Sequence, residues 1–212
     1  DFLVDALGLT PGAQVLDVGC GPGRHAKALA RRGMVVHGID ISHRFVELAR
    51  ADAPPGATFE RLDARAMPFA AEFDLVLSLC QGAFGLPAET GEGAPVDVDR
   101  TILERMATAC RPGGRVVVSA FSAYFQVRHL EDADTFDAAA GVNHERTEIR
   151  DPDGRVAEVD LWTSCFTPRE LRLLAASVGL VPDAVWSVTP GDYAARPPDL
   201  EHPEFLLVAT RP

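Results

Sequence analysis

The stretch "VLDVGCGPGRHA" (residues 15–26) places three glycines within five positions, between an apolar run and a helical pattern. The apolar run predicts a short buried strand, and the alanines that follow the glycines predict a helix. Gly19, Gly21 and Gly23 have no Cβ and can adopt positive φ, so the backbone can pass close beneath a bound molecule with its N–H groups directed at it. The stretch therefore predicts a strand-to-helix turn that contacts a ligand, although a tight turn without a ligand would need the same residues.

The composition fits one globular domain. The chain has 212 residues, of which 47% are hydrophobic, and this is enough for a full core. We therefore expect a single domain over residues 1–212. Every apolar stretch is shorter than the roughly 20 residues of a membrane span, and no basic-then-apolar leader opens the chain. These features predict a cytoplasmic protein without membrane contact.

Charge and cysteine usage exclude several classes of ligand. The formal net charge is -11, and no cluster of Lys and Arg interrupts it, so neither DNA nor RNA is expected as a partner. The cysteines show neither CxxC pairing nor the density of a disulfide scaffold, so reduced thiols are predicted rather than bridges or zinc. These cysteines are Cys20, Cys80, Cys110 and Cys165.

Strands and helices alternate along the chain, which indicates an α/β fold with a parallel sheet. The run "EFDLVLSLC" (residues 72–80) is almost wholly apolar, as in a strand buried on both faces. A capping box over residues 167–170 begins a late helix, which Gly179 ends. The last two strands are linked by a segment too short for a helical crossover and should be antiparallel neighbours. The other predicted strands are residues 34–40, 57–63, 111–121, 181–188 and 204–210, and the other predicted helices are residues 42–50 and 97–110.

Acidic residues follow three of the predicted parallel strands. Asp17, Asp40 and Asp63 lie at or near the carboxyl ends of their strands, and such ends meet at one ligand-binding crevice. Asp40 follows the glycine turn by about 20 residues, where a carboxylate can accept hydrogen bonds from both hydroxyls of a ribose. A helix cap is the alternative role for Asp40, although Ser42 is the better cap.

Five motifs, taken together, resemble those of the class I S-adenosylmethionine-dependent methyltransferases. They are "VLDVGCGPG", "VHGID", "RLDARAMPF", "FDLVLSL" and "RPGGRVVVS", in this order and spacing. The resemblance covers most of residues 13–121 and returns at the capping box and the final strands. It implies a Rossmann-like, seven-stranded, mostly parallel sheet in the order 3-2-1-4-5-7-6, in which the last strand is antiparallel.

The resemblance also implies S-adenosylmethionine as the cofactor. Asp17 would orient the glycine loop and approach the methionine amino group. Asp40 would hold the ribose, with Ile41 packed on the adenine. Asp63 and the N–H of Ala64 would contact the adenine edge. The remaining positions carried over are Gly19, Cys20 and Gly21, which would make backbone contacts, and Leu79 and Cys80, which would face the methionine part.

The methyl acceptor is expected to be a small organic molecule, methylated at N, O or C, with a protein acceptor as the alternative. The catechol-type and nucleic-acid-type branches of the family carry a metal site or an Asn-Pro-Pro-aromatic signature after the fourth strand. Residues 79–84 read "LCQGAF" instead, so no metal is expected. The candidate acceptor-site residues are Gln81, Phe84, Tyr124, Arg128, His129 and His144.

The segment after the fifth strand, residues 122–166, is far longer than a usual loop of roughly 4 to 6 residues. Within it, "DPDG" (residues 151–154) separates two alternating runs, which predicts a hairpin. We expect the insertion, residues 122–163, to cover the acceptor side of the site, where water must be excluded. The alternative is an interface, in which an edge strand of the hairpin pairs with a second subunit to form a homodimer.

Two other functions share some of these features. A nicotinamide-dependent oxidoreductase also has a glycine turn and an acid after its second strand, but its fingerprint would need glycine at position 24, which is Arg24. A non-catalytic S-adenosylmethionine-binding protein would keep the same pocket. Methyl transfer needs few obligatory side chains, because the sulfonium donor is already activated and the enzyme chiefly aligns the acceptor.

Overall fold

In the computed structural model, residues 2–86, 95–150 and 156–212 are described. Alternating helices and strands follow the predicted α/β pattern. In chain order they are α1 (Phe2–Leu7), β1 (Gln14–Val18), α2 (Arg24–Ala30), β2 (Val35–Asp40), α3 (His43–Ala51), β3 (Ala57–Arg61), a 3-10 turn (Ala64–Ala66), β4 (Phe73–Ser78), α4 (Pro95–Ala109), β5 (Cys110–Ser122), α5 (Ala123–Arg128), β6 (Thr135–Asp137), β7 (Val142–Arg150), β8 (Val156–Phe166), α6 (Pro168–Ser177), β9 (Val181–Thr189), β10 (Asp192–Arg196) and β11 (Glu204–Thr210).

The main sheet has the order β10-β9-β11-β5-β4-β1-β2-β3. Neighbours from β3 to β5 are parallel, whereas β11 runs antiparallel to both β5 and β9. The predicted order of seven strands, with an antiparallel last strand, is therefore confirmed. The edge strand β10 is an addition, made by a turn that folds the polar segment after β9 back onto it.

The predicted hairpin forms in the insertion after β5. β7 and β8 are antiparallel from the pair Val142–Ser164 to the pair Arg150–Val156. β6 lies on the outer side of β7, and the end of β8 joins β5 in parallel through Phe121 and Cys165. The insertion is thus continuous with the main sheet, whereas its predicted turn at residues 151–154 lies outside the described residues, which resume at residue 156.

Local sequence signals set several helix ends. The Ser42 hydroxyl accepts the Phe45 N–H at 3.3 Å and caps α3, as predicted. Thr167 and Glu170 form the predicted capping box of α6, with Pro168 in its first turn. Each cap satisfies N–H groups that have no partner within the helix. β2 and β8, the strands before these helices, end at the same edge because parallel pairs link each of them to β5.

Hydrophobic side chains cover both faces of the sheet. One face packs against α4 and α6, and the other packs against α1, α2 and α3. β11 is buried on both sides. Phe205 and Leu207 face α4 and α6, and Leu206 and Val208 face α1, α2 and α3. This two-sided burial explains the continuous apolar runs in the sequence and leaves the carboxyl ends of the strands as the place for a site.

Of the helices in the described ranges, none combines the length and the apolar character that a membrane span requires.

Candidate functional site

The glycine loop after β1 is held by hydrogen bonds from its own backbone. The N–H groups of Gly19 and Cys20 both donate to the Ile39 carbonyl, at 2.8 and 2.9 Å. The Gly21 N–H donates to Asp40 Oδ2 at 2.8 Å. All three N–H groups tie the loop to β2 in this structure, and the expectation that backbone groups of this loop contact a ligand stays a prediction.

A second loop, which follows β4, crosses the glycine loop at very short range. A Cβ placed on Gly19 would lie 2.0 Å from the carbonyl carbon of Gly82, and a Cβ on Gly82 would lie 2.0 Å from the Gly19 oxygen. Only glycine fits at either position, because real Cβ atoms do not approach other atoms so closely. The crossing divides the crevice at the strand ends into two cavities.

The first of the two cavities, which we call the α1 cavity, has a volume of about 420 Å³. It lies between α1, the start of α2 and the end of β4. Leu79, Cys80 and Tyr193 form its floor, and Arg24 and His25 lie at its side. The second, the α4 cavity, has a volume of about 210 Å³ and lies beyond the ends of β2 and β3.

Asp17 is buried beneath the glycine loop, with 1% of the residue exposed. Its carboxyl interacts with the Ala26 N–H, whereas its Oδ2 has no hydrogen-bond partner in the described part of the chain. Burial raises the pKa of Asp17 to about 7, and the charge of Asp40 raises it further while the Ala26 N–H and Arg24 oppose the rise. An unpartnered carboxylate oxygen in so dry a place is costly unless a donor or a cation reaches it.

Asp40 ends β2 and lines the α4 cavity with 7% of the residue exposed. One carboxylate oxygen accepts the Gly21 N–H and the other accepts the Ser42 N–H, each at 2.8 Å. Asp40 therefore positions both the glycine loop and the start of α3. A carboxylate has about four acceptor positions, so both oxygens can still receive hydroxyl groups from the cavity.

Other predicted cofactor positions surround the α4 cavity. Ile41 is 60% exposed and presents an apolar side chain to it. Asp63 caps the 3-10 turn, where its Oδ1 accepts the Arg65 N–H at 2.9 Å and its Oδ2 accepts from the Arg65 guanidinium at 2.7 Å. The Arg65 side chain lowers the pKa of Asp63. Ala64 completes this wall, so the cavity combines apolar contact area with an ionised rim.

The residues after β4 have an unusual backbone. Cys80 and Gln81 both adopt left-handed conformations, with φ of 53° and 51°. Residues other than glycine rarely adopt positive φ, so contacts with the surrounding structure must hold Cys80 and Gln81 in this conformation. The Cys80 N–H donates to the Ser119 hydroxyl at 2.8 Å, and its thiol receives Arg24 Nη2 at 3.3 Å. This conformation carries the loop from the floor of the α1 cavity toward Gly82.

The remaining acceptor candidates lie apart from these two cavities. Phe84 is fully buried and stacks on Phe166 with ring centroids 5.2 Å apart, which gives it a packing role. Tyr124 packs edge-on against Phe205 on the far side of the sheet.

Three further candidates lie in the insertion and around α5. Arg128 pairs with Glu201, and His129 lies against Phe125 with ring centroids 4.2 Å apart. His144, on β7, donates a hydrogen bond from Nε2 to Asp160 Oδ1 at 2.8 Å and stacks on Trp162. Gln81 and Phe84 follow the end of β4, and α5 with Tyr124 and Arg128 follows the end of β5, so a role of these residues toward an acceptor stays a prediction.

Sequence reasoning singled out neither Tyr193 nor Glu204. Tyr193, on the unpredicted strand β10, forms part of the floor of the α1 cavity. Glu204 begins β11 and is 2% exposed. A lone acid at the head of the apolar run "EFLLVAT" (residues 204–210) is a signal that could have indicated this position. Within residues 2–86, 95–150 and 156–212, no group of three His, Cys, Asp or Glu side chains is arranged to hold a metal ion.

Part of the chain is similar to known methyltransferases. Residues 15–114 match the family described as "Methyltransferase domain". A demethylmenaquinone methyltransferase from Renibacterium salmoninarum is 34% identical over 122 residues, which cover 57% of this chain and 46% of that protein. The chain spans about half the length of the curated relatives it matches.

Solved structures share the fold over almost the whole chain. The CcbJ methyltransferase from Streptomyces caelestis superposes with a TM-score of 0.77 at 21% identity, covering 98% of this chain and 86% of that one. CalS10, an amino pentose methyltransferase from Micromonospora echinaspora, gives a TM-score of 0.65 at 24% identity, covering 95% of this chain and 84% of that one. Residues 15–114 therefore match a methyltransferase domain, and the chain shares the fold of these solved methyltransferases over nearly its whole length.

Proposed function

We propose that this protein transfers a methyl group from S-adenosylmethionine to a small organic acceptor. The observation that carries the proposal is the placement of Asp17 and Asp40 on either side of one glycine loop, where Asp17 keeps an unpartnered, buried oxygen. That oxygen fits the ammonium group of the methionine part, and the carboxylate of Asp40 fits two ribose hydroxyls.

The other residues at the strand ends suit the same ligand. Ile41 supplies apolar area for the adenine, and Asp63 with Ala64 forms the rim next to it. Gly19, Cys20 and Gly21 pass beneath the ligand through Cα and carbonyl contacts. Leu79 and Cys80 face the methionine part from the floor of the α1 cavity. One ligand that reaches both cavities must part Gly19 from Gly82, so we infer that these loops separate on binding.

Methyl transfer from S-adenosylmethionine requires few catalytic groups from the protein. The bound cofactor supplies a methyl group on a positively charged sulfur, which is activated before it binds. The chain must align the acceptor in line with that methyl, exclude water and remove a proton where the acceptor has one. No metal is part of this proposal.

A small organic acceptor is favoured over other classes. The formal net charge of -11 opposes a nucleic acid. The related proteins include a demethylmenaquinone methyltransferase and an amino pentose methyltransferase, whose names describe small molecules. Gln81, in the loop after β4, is one of the acceptor candidates in this proposal. That the insertion, residues 122–163, covers the acceptor side stays a prediction, as does its alternative role in a homodimer.

Calorimetric titration tests the proposal. We expect the purified protein to bind S-adenosylmethionine and S-adenosylhomocysteine but not NAD, and to release S-adenosylhomocysteine in the presence of an acceptor from a metabolite library. Preferential binding of NAD would refute the methyltransferase function. Cofactor binding without turnover on any acceptor would instead favour a non-catalytic binding protein.

A further inference from the structure

The walls of the α1 cavity are mainly apolar. They include Phe2 and Leu3 of α1, which are only partly buried, together with Leu29 of α2 and Leu77 of β4. Phe2 also packs edge-on against Trp186, with ring centroids 5.5 Å apart, and this contact holds α1 against the sheet. A cavity of about 420 Å³ with apolar walls and a few polar groups is typical of a site for a small organic molecule.

The charged residues in these walls are two arginines and one acid, namely Arg24, Arg32 and Asp192. The acid is already paired, because Asp192 Oδ2 accepts a hydrogen bond from Arg196 Nη2 at 2.7 Å. Asp192 therefore supplies no counter-charge to Arg24. The charge of Arg24 also acts on Asp17, but Asp17 is buried beneath the glycine loop and the two form no ion pair within the described residues.

The hydrogen-bond partners of Arg24 are neutral. Its Nη2 donates to His25 Nε2 and to Cys80 Sγ, each at 3.3 Å. Burial lowers the pKa of His25 to about 4, and the charge of Arg24 lowers it further, so the ring is uncharged near pH 7. Burial raises the pKa of the Cys80 thiol, which is therefore also uncharged. Among the residues that the structure describes, the N–H donors on Nε and Nη1 of Arg24 have no partner.

Resting on the proposed function, we propose that the α1 cavity binds the methyl acceptor and that this acceptor is a largely apolar organic anion whose carboxylate is held by Arg24. The apolar walls enclose its hydrocarbon part, and the guanidinium donates charge-assisted hydrogen bonds to its anionic end. Leu79 and Cys80 belong to the floor of this cavity and to the proposed surroundings of the methionine part, so an acceptor there lies beside the methyl donor.

The methionine carboxylate of the cofactor has the same chemistry as the anionic end of such an acceptor. The two sources of a carboxylate predict different effects of Arg24→Gln. If Arg24 holds the acceptor, the Kd of S-adenosylhomocysteine should change by less than about threefold. If Arg24 holds the methionine carboxylate, that Kd should rise at least about tenfold, while the Kd of 5′-methylthioadenosine, which lacks the amino-acid part, stays unchanged. The second result would overturn the assignment of Arg24 to the acceptor.

The pair 2-naphthoate and 2-naphthamide tests the preference for an anion, because the two probes share a shape and differ in charge. With S-adenosylhomocysteine at saturation, calorimetry should show that the wild-type protein binds 2-naphthoate at least about tenfold more tightly than 2-naphthamide. Arg24→Gln should abolish this preference. Arg31→Gln, exposed at the other end of α2, is the matched control and should keep it. No binding of 2-naphthoate, equal wild-type affinities, or an unchanged preference in Arg24→Gln would each overturn the proposal.

Ala28→Phe tests whether the probes occupy the α1 cavity. Ala28 lines the cavity from α2, so a phenyl ring there fills part of the space. The affinity for both probes should fall at least about tenfold while the Kd of S-adenosylhomocysteine changes by less than about threefold, and undiminished probe binding would count against the cavity. A structure of the wild-type protein with 2-naphthoate decides the question even if this variant fails to fold. A carboxylate oxygen within about 3.2 Å of an Arg24 guanidinium nitrogen supports the proposal, and a probe bound outside the cavity overturns it.

The proposed function and this inference fail in different ways. A wild-type protein that binds 2-naphthoate at Arg24 but binds neither S-adenosylmethionine nor S-adenosylhomocysteine would refute the proposed function and the acceptor role, and would leave the cavity as a site for an organic anion. A protein that binds S-adenosylhomocysteine without any preference for 2-naphthoate would keep the proposed function and refute the inference.

Discussion

Replacing Asp40 with asparagine tests the residue that joins the glycine loop to the site. Each carboxylate oxygen of Asp40 accepts one backbone N–H at 2.8 Å, from Gly21 and from Ser42. An asparagine side chain has one oxygen and one NH₂ group, so one of the two N–H groups must face another donor. A buried donor without an acceptor costs about 1 to 3 kcal/mol. We therefore expect Asp40→Asn to lower the free energy of unfolding by that amount.

The same substitution should weaken cofactor binding. If the carboxylate also receives ribose hydroxyls, the loss of charge-assisted bonds of roughly 1.5 to 3 kcal/mol each raises the Kd of S-adenosylhomocysteine by about 10- to 100-fold. Urea unfolding gives the first quantity and calorimetry gives the second. Asp132→Asn, at an exposed position, is the control. An unchanged Kd would remove Asp40 from the binding site, and an unchanged stability would show that the two N–H groups do not depend on it.

Two further substitutions examine the loops around the crevice. Burial raises the pKa of Asp17 to about 7 from 3.8, so folding takes up a proton between these values and the stability of the ligand-free protein falls as pH rises through that range. Asp17→Asn should therefore be more stable than the wild-type protein at pH 8 by at least about 1 kcal/mol, with no advantage near pH 4, when both are unfolded in urea. Gly82→Ala would place a Cβ 2.0 Å from the Gly19 oxygen and should destabilise the ligand-free protein by about 1 to 3 kcal/mol. If binding parts these loops, the bound state escapes this clash, so the variant should bind S-adenosylhomocysteine more tightly than wild type, by roughly 5- to 150-fold for 1 to 3 kcal/mol, and a large loss of affinity would contradict the inferred separation.

Much of the fold was predictable because its signals are local. The glycine stretch, the cap at Ser42 and the capping box at Thr167 act within a few residues, and the apolar strand runs reflect burial on both faces. Strand order followed from the family resemblance rather than from periodicity. β10 was missed because "DYAAR" (residues 192–196) is short and lacks an alternating pattern.

The site was predictable only where it is built from strand ends. Asp40 lies beside the glycine loop because parallel strands bring their carboxyl ends together. The approach of Gly82 to Gly19, and of Arg24 to Cys80, depends on packing between distant segments, which no local pattern encodes. Phe84 shows the converse difficulty: an aromatic residue in a loop sequence suits a binding pocket and a core equally well, and here it is in the core.

The position of β11 also determines when the sheet can be completed. It lies between β5 and β9 in space but follows both in the chain. Until it docks, two long strands present unpaired edges to solvent, and such edges invite pairing with other chains. Its docking also joins segments far apart in sequence, which is a slow step in folding. A nascent or truncated chain that stops before residue 204 would therefore expose the facing edges of β5 and β9.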